Sequence, residues 1–320
     1  MHKNLLLINP TIRPEGVELL KKECNVFYAS DGDEETLIEA INTNCIDAVI
    51  TRVEKITRNI FENCKSLKII GQNGVGLDNI DVDAATEFGV KVLNVPDANY
   101  ISVVEHTLML ILSLSRYLVL ADENVRKGNW LYRETNIPME ISNKNLLIIG
   151  FGRIGKEVAK KAMAFNMNIF AYDSYVDEAT MESLNVKKEH DLLEGLKNAD
   201  FVTVHTPLTE DTKGLMSYNQ FKAMKNTAYI LNLGRGPVID EEALINALEN
   251  NEIAGAGLDV FNVEPPDVNN PLFKFKNVIL TPHLAGDTIE AKRRCSIIIA
   301  NTVIEALKGR NPYNLVNLRS

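Results

Sequence analysis

Residues Asn145 to Asp173 read NLLIIGFGRIGKEVAKKAMAFNMNIFAYD. The run Leu146-Leu147-Ile148-Ile149 is short, apolar and partly β-branched, the composition of a buried strand. Gly150, Gly152 and Gly155 follow in G-x-G-x-x-G spacing, and Ile154, Val158, Ala159, Ala162 and Met163 then recur at helical period. A second strand-like run, Asn168 to Tyr172, ends on Asp173. Strand, glycine turn, helix and strand in that order make one β-α-β unit.

The spacing has a physical reading. Gly150 permits a tight strand-to-helix turn, Gly152 lets a pyrophosphate approach the backbone, and Gly155 lets the helix lie close on the strand. The phosphates would sit on unpaired N–H groups at the positive end of the helix dipole. Asp173, roughly 20 residues on, is placed to accept hydrogen bonds from an adenosine ribose diol. A 2′-phosphate would meet its negative charge, and Ser174-Tyr175 supply no arginine to offset it. NAD is therefore expected in preference to NADP.

Working outward, 320 residues predict about two domains. A hydrophobic content of 45% with 24% charged residues describes a chain able to bury a sizeable core. The net charge of −9 argues against nucleic acid and anionic membrane as partners, so an anionic substrate must be held by a few local cations. Cys24, Cys45, Cys64 and Cys295 show no metal-ligand spacing and read as reduced packing residues, which with the lack of a signal-peptide pattern predicts a cytoplasmic protein and no metal. The apolar stretch Ile101 to Ala121 is interrupted by Glu105, His106 and Arg116 and does not read as a membrane span.

The first hundred residues alternate strands at Leu5–Ile8, Asn25–Tyr28, Asp47–Ile50, Leu67–Ile70 and Lys91–Asn94 with helical segments, which predicts a small doubly wound parallel sheet. After the first strand the chain reads Ile8-Asn9-Pro10-Thr11, with no glycine fingerprint and so no second dinucleotide site. Two loops at strand ends stand out. The loop Gly71 to Asp78, containing Asn73, Val75 and Gly76, is either a simple glycine turn or a cradle of N–H groups for a small anion. Arg52 is either a solvated arginine or a ligand-facing cation.

Ile101 to Leu120 reads as one long helix, apolar on nearly every side, and such a helix must be covered by a second domain or a second copy of the chain. Strands follow at Phe201–Val204, Ala228–Leu231, Ile253–Leu258 and Val278–Leu280, then a helix at Ile289–Leu307. The expected division is a cofactor domain at 99–288 inserted into a first domain made of 1–98 and 289–320.

Five further segments carry a resemblance. Asn232-Leu-Gly-Arg-Gly-Pro-Val-Ile-Asp240, Gly257-Leu-Asp-Val-Phe-Asn-Val-Glu-Pro265, Thr281-Pro-His-Leu-Ala-Gly286, Asn73-Gly-Val-Gly-Leu-Asp-Asn-Ile-Asp81 and Ser102-Val-Val-Glu-His-Thr107 resemble the signatures of the D-isomer-specific 2-hydroxyacid dehydrogenases. The match runs in order along essentially the whole chain. It implies two doubly wound α/β domains, a Rossmann NAD domain inserted into a discontinuous flavodoxin-like substrate domain, with the active site in a cleft and a homodimer formed through the helix near 101–120. By family position Arg235 binds the substrate carboxylate, His283 is the acid/base and Glu264 orients it. Asp259 holds the nicotinamide carboxamide, and Asn73, Val75 and Gly76 belong to the loop that donates N–H groups to the carboxylate. Arg153, Ile154, Thr206, Pro207 and Gly286 join the glycines and Asp173 around the cofactor.

The chemistry asks for the same residue types. Reducing a 2-keto acid needs a carboxylate anchor, a proton donor at the carbonyl oxygen and hydride from NADH. Arginine matches a carboxylate with a planar fork, and histidine changes protonation near neutrality. A carboxylate partner would favour the imidazolium and raise the His283 pKa. His106, His190 and His205 read as structural or peripheral.

The substrate stays open among phosphoglycerate, hydroxypyruvate, glyoxylate and aliphatic keto acids. A phosphorylated substrate needs extra cations, for which Arg52, Arg133 and Lys274 are candidates, whereas Gln72 is neutral where a basic residue would help. Two alternatives remain: an NADH-sensing corepressor-like protein, disfavoured by the lack of a long tail after the last helix, and a phosphite dehydrogenase. A formate dehydrogenase is disfavoured by Glu264, where those enzymes carry glutamine.

Overall fold

The computed structural model describes residues 3–8 and 12–318, so the segment Asn9-Pro10-Thr11, read as lacking a glycine fingerprint, and the end of the tail lie outside the described residues. The chain forms two compact units, one of Met1–Asn99 with Asp287–Ser320 and one of Tyr100–Gly286.

The first unit carries strands β1 (Lys3–Ile8), β2 (Cys24–Ala29), β3 (Ala48–Thr51), β4 (Ile69–Gln72) and β5 (Lys91–Leu93), all parallel, in spatial order β2-β1-β3-β4-β5. Side chains alternate across the sheet with period two. Leu6, Ile8, Val49, Ile70 and Val92 enter one core, and Leu5, Leu7, Ala48, Ile50 and Ile69 enter the other. The second core is covered by helices Pro14–Glu23 and Ile289–Leu307, which pack on each other so closely that a Cβ on Gly16 would lie 2.6 Å from the Ser296 carbonyl oxygen. The neighbours β1 and β3 mark the point where the winding direction reverses, and the carboxyl end of β3 delivers Thr51 and Arg52 there.

The second unit carries β6 (Asn145–Ile149), β7 (Asn168–Tyr172), β8 (Lys187–Lys188), β9 (Phe201–Val204), β10 (Tyr229–Asn232), β11 (Gly255–Leu258) and β12 (Val278–Leu280). They are parallel in the order β12-β11-β10-β9-β6-β7-β8, which is the doubly wound dinucleotide-binding order with its reversal between β6 and β9. Leu146 and Ile148 face the core under helices Tyr100–Ser115 and Arg153–Met163, while Leu147 and Ile149 face the opposite core.

The expected single helix Ile101–Leu120 is corrected. A helix runs Tyr100–Ser115, Tyr117 takes a left-handed conformation (φ 50°), and a second helix, Leu118–Arg126, leaves at 58°. The left-handed residue closes the first helix as a C-terminal cap does. Met109, Leu118 and Val119 are exposed on the single chain. No single helix among the described residues is long and apolar enough to cross a membrane. Helix Arg58–Asn63 and the helices between 178 and 223 are additions to the sequence reading. Asp240 is the N-cap of helix Glu241–Glu249 and accepts from Ala243 N. Of the four cysteines, Cys45 departs from the packing role: it is exposed, in a left-handed turn at φ 48°.

Candidate active site

The fingerprint turn is built at the reversal between β6 and β9. Gly150 has φ 92°, and a Cβ there would lie 2.9 Å from the carbonyl carbon of His205 and the nitrogen of Thr206. Only glycine meets both demands. A Cβ on Gly155 would run into the Gly150 carbonyl oxygen, whereas one on Gly152 would project into open space. Gly152 is the N-cap of helix Arg153–Met163, no side chain caps that end, and Thr206 Oγ1 is buried without a partner among the described residues. An open space over an uncapped helix N-terminus fits a dinucleotide pyrophosphate. Arg153 lies over the Tyr100 ring at 5.8 Å, Ile154 packs into the core below the turn, and Pro207 is exposed with its carbonyl held by Thr212.

Asp173 serves its own turn as well. Oδ2 accepts from Phe151 N at 2.7 Å, and Oδ1 accepts from Tyr175 N at 2.8 Å and Val176 N at 3.0 Å. A carboxylate has about four acceptor positions, so about one remains for a ribose hydroxyl.

Arg235 follows β10 and is half-buried, with Nη1 donating to the Gly234 carbonyl at 2.9 Å and its own carbonyl accepting from Asn232 Nδ2 at 2.9 Å. The flanking glycines answer to packing: a Cβ on Gly234 would lie 2.9 Å from Thr206 O, and one on Gly236 would overlap the Phe261 backbone.

Glu264 and His283 meet. Nδ1 of His283 is 2.6 Å from Glu264 Oε2, while Glu264 Oε1 accepts from Phe261 N at 3.0 Å. A carboxylate oxygen accepts, so Nδ1 carries the hydrogen and Nε2 is the atom that can exchange a proton with a ligand. His283 sits at φ 50°, a conformation costing a non-glycine residue about 1–3 kcal/mol.

Asp259 holds that conformation. Its carbonyl accepts from His283 N at 2.8 Å, Oδ1 accepts from Thr281 Oγ1 at 2.6 Å and Leu284 N at 3.0 Å, and Oδ2 accepts from Ala285 N at 2.9 Å. The residue is buried, as is His106, whose Nε2 is 3.1 Å from Thr281 Oγ1. Burial lowers the His106 pKa against the opposing pull of Asp259, so the ring is neutral at pH 7. The Thr281 hydroxyl gives its one hydrogen to Asp259, which makes His106 the donor through Nε2–H. His106 and Thr281 thus support the loop carrying His283. This is the structural alternative of the sequence expectation, although a place next to Glu105 in a helix 175 positions before Thr281 carries no signal of the contact. Gly286 closes the loop as the last residue of this unit.

In the first unit, Asn73 is buried with its N–H on Thr51 O at 2.8 Å. The Gly74 carbonyl accepts from Val95 N at 2.8 Å and the Val75 carbonyl from Asn94 Nδ2 at 2.9 Å. In a planar trans peptide the next N–H points the opposite way, so the N–H groups of Val75 and Gly76 face away from the Asn94–Val95 segment. Arg52 donates through Nη2 to Asp287. Arg133 pairs with Glu134 at 2.9 Å and lies over the Trp130 ring at 5.5 Å.

Residues 108–285 match the family described as "D-isomer specific 2-hydroxyacid dehydrogenase, NAD binding domain". The chain is 40% identical over 314 residues to a D-3-phosphoglycerate dehydrogenase of Methanocaldococcus jannaschii, a match spanning 98% of this chain but only 59% of that protein. It is 36% identical to a glyoxylate reductase of Pyrococcus furiosus, covering 98% of this chain and 96% of the relative. Its fold superposes on D-mandelate dehydrogenase of Rhodotorula graminis with a TM-score of 0.90 at 27% identity, covering 99% and 98% of the two chains. Two parallel α/β units of five and seven strands, a glycine turn at the reversal of the second and these matches agree: the chain belongs to the D-isomer specific 2-hydroxyacid dehydrogenase family.

Proposed function

We propose that the protein is an NAD-dependent oxidoreductase acting between a small D-2-hydroxy acid and its 2-oxo acid. The observation that carries this reading is the His283–Glu264 pair, with Nδ1 tied to the carboxylate and Nε2 left to move a proton. The bound dinucleotide supplies or accepts the hydride at nicotinamide C4. Arg235 anchors the substrate carboxylate with its guanidinium fork. His283 Nε2 protonates the carbonyl oxygen during reduction and removes the hydroxyl proton during oxidation. Asp259, with about one acceptor position left after its own three hydrogen bonds, orients a carboxamide donor. Asp173 favours NADH, since a 2′-phosphate would lie against its carboxylate.

The test is oxidation of NADH and NADPH at neutral pH with pyruvate, glyoxylate, hydroxypyruvate, 2-ketoisocaproate and phosphohydroxypyruvate, and NAD reduction with phosphite. Turnover on a 2-oxo acid with NADH preferred at least about tenfold supports the reading. Silence with every acid while NADH still binds would favour an NADH-sensing regulatory protein. A second copy of the chain is the partner we assign to the exposed apolar residues Met109, Leu112, Leu118 and Val119. Sedimentation equilibrium giving a dimer mass supports that partner; a monomer at micromolar concentration excludes it.

A further inference from the structure

Arg52 stands at the carboxyl end of β3, at the reversal of the first sheet, where open α/β sheets receive ligands. The loop beginning at Asn73 is its direct neighbour, because Thr51 and Gln72 are paired in register and Asn73 N donates to Thr51 O at 2.8 Å. A guanidinium there would suit a second anionic group on the substrate. The chain supplies its own anion instead. Asp287 accepts from Arg52 Nη2 and also pairs with Lys292 at 3.0 Å, from the first turn of helix Ile289–Leu307. Both cations hold the Asp287 carboxyl below its ordinary range against the opposing effect of burial, so it stays charged at pH 7.

The other groups beside Arg52 add a second carboxylate and a neutral amide. Glu54 places its carboxylate under the same loop, accepting from Arg52 N at 2.9 Å and Thr51 Oγ1 at 2.8 Å. Arg52 therefore has a carboxylate on its guanidinium, Asp287, and a second, Glu54, on its backbone N–H. Gln72 is buried and gives Nε2 to the Arg52 carbonyl at 2.8 Å, so the neighbouring strand end offers a neutral amide committed to the loop. Arg294 gives Nε to the Ala98 carbonyl at 2.9 Å.

We propose that Asp287 sets the substrate class by holding Arg52, so that the enzyme takes an unphosphorylated 2-oxo or 2-hydroxy monocarboxylate and rejects phosphorylated ones. The inference rests on the dehydrogenase reading above and deepens it. A phosphoryl group would have to displace one carboxylate from Arg52 and then lie beside it and Glu54, an arrangement of like charges that binding sites use for rejection.

The readout is the ratio of kcat/KM for 3-phosphohydroxypyruvate to that for hydroxypyruvate, with NADH and the full chain. Wild type is expected to favour hydroxypyruvate by at least about tenfold, and Asp287→Asn to move the ratio toward the phosphorylated acid by at least about tenfold, through KM. Adding Arg52→Gln to that variant returns the ratio to the wild-type side. A wild type that prefers the phosphorylated acid overturns the inference whether or not the variants fold. A folded Asp287→Asn whose ratio stays within about twofold of wild type, the spread of an interaction too weak to matter, also overturns it. Reduction of neither acid overturns it as well, and the wider panel then decides separately whether the dehydrogenase reading survives on another acid.

Discussion

Replacing Asp259 by asparagine should damage both the stability of the second unit and turnover. In the native loop the carboxylate accepts from Thr281 Oγ1, Leu284 N and Ala285 N, with both oxygens engaged. An amide has only one acceptor oxygen, and whichever way it is turned its NH₂ group faces at least one backbone N–H. One buried donor then loses its partner, which costs about 1–3 kcal/mol, and the remaining bonds lose the strength a charged acceptor gave them. The expected loss is about 2–4 kcal/mol, roughly 5–15 °C in Tm for a unit of this size. The same bonds hold His283 at φ 50°, so relaxation of that residue is expected to misplace Nε2. Displacement of a catalytic group by about 1 Å lowers turnover about 10²-fold. Urea denaturation and steady-state NADH oxidation measure the two effects. A variant as stable as wild type with turnover within about twofold would refute the view that Asp259 organises the loop.

Two further outcomes are expected. His205 keeps an exposed edge, but Nδ1 is buried without a partner among the described residues, and burial pushes its pKa down to about 3. It is neutral in the folded chain and protonates near 6.5 when unfolded, so its contribution is present above pH 6.5 and lost as pH falls toward 3; between pH 7 and 5 the loss is about 2 kcal/mol. Chemical denaturation across that range should show a shallower acid limb for His205→Gln than for wild type, and parallel limbs would contradict the assignment. Gly150→Ala forces a Cβ against the His205–Thr206 backbone at φ 92° and is expected to cost at least about 2 kcal/mol and to weaken NADH binding, both read from a thermal shift with and without NADH.

Much of this architecture was legible in the residues because local physics sets it. The strands Phe201–Val204 and Val278–Leu280 and the helix Ile289–Leu307 have the boundaries that apolar runs and caps announce. The glycine turn is constrained by its own backbone, so its spacing carries its structure. What escaped depends on contacts distant in sequence or on a single dihedral. The chain breaks its apolar helix at Tyr117 by one left-handed residue that the hydrophobic pattern does not mark. Arg52 could be read as ligand-facing or solvated, and its actual partner, Asp287, is 235 positions away. His106 could be read as structural or peripheral, and the contact that makes it structural, with Thr281, lies on another element. Asp259 was placed by resemblance on the cofactor, yet three of its acceptor positions support the chain's own loop.

In the proposed reaction His283 Nε2 moves the proton while Glu264 holds Nδ1. The most direct test is His283→Gln, with turnover and NADH affinity measured on the same preparation. Turnover is expected to fall by about 10²–10⁴-fold with NADH affinity retained. Unchanged turnover would contradict it and move the acid/base to another residue.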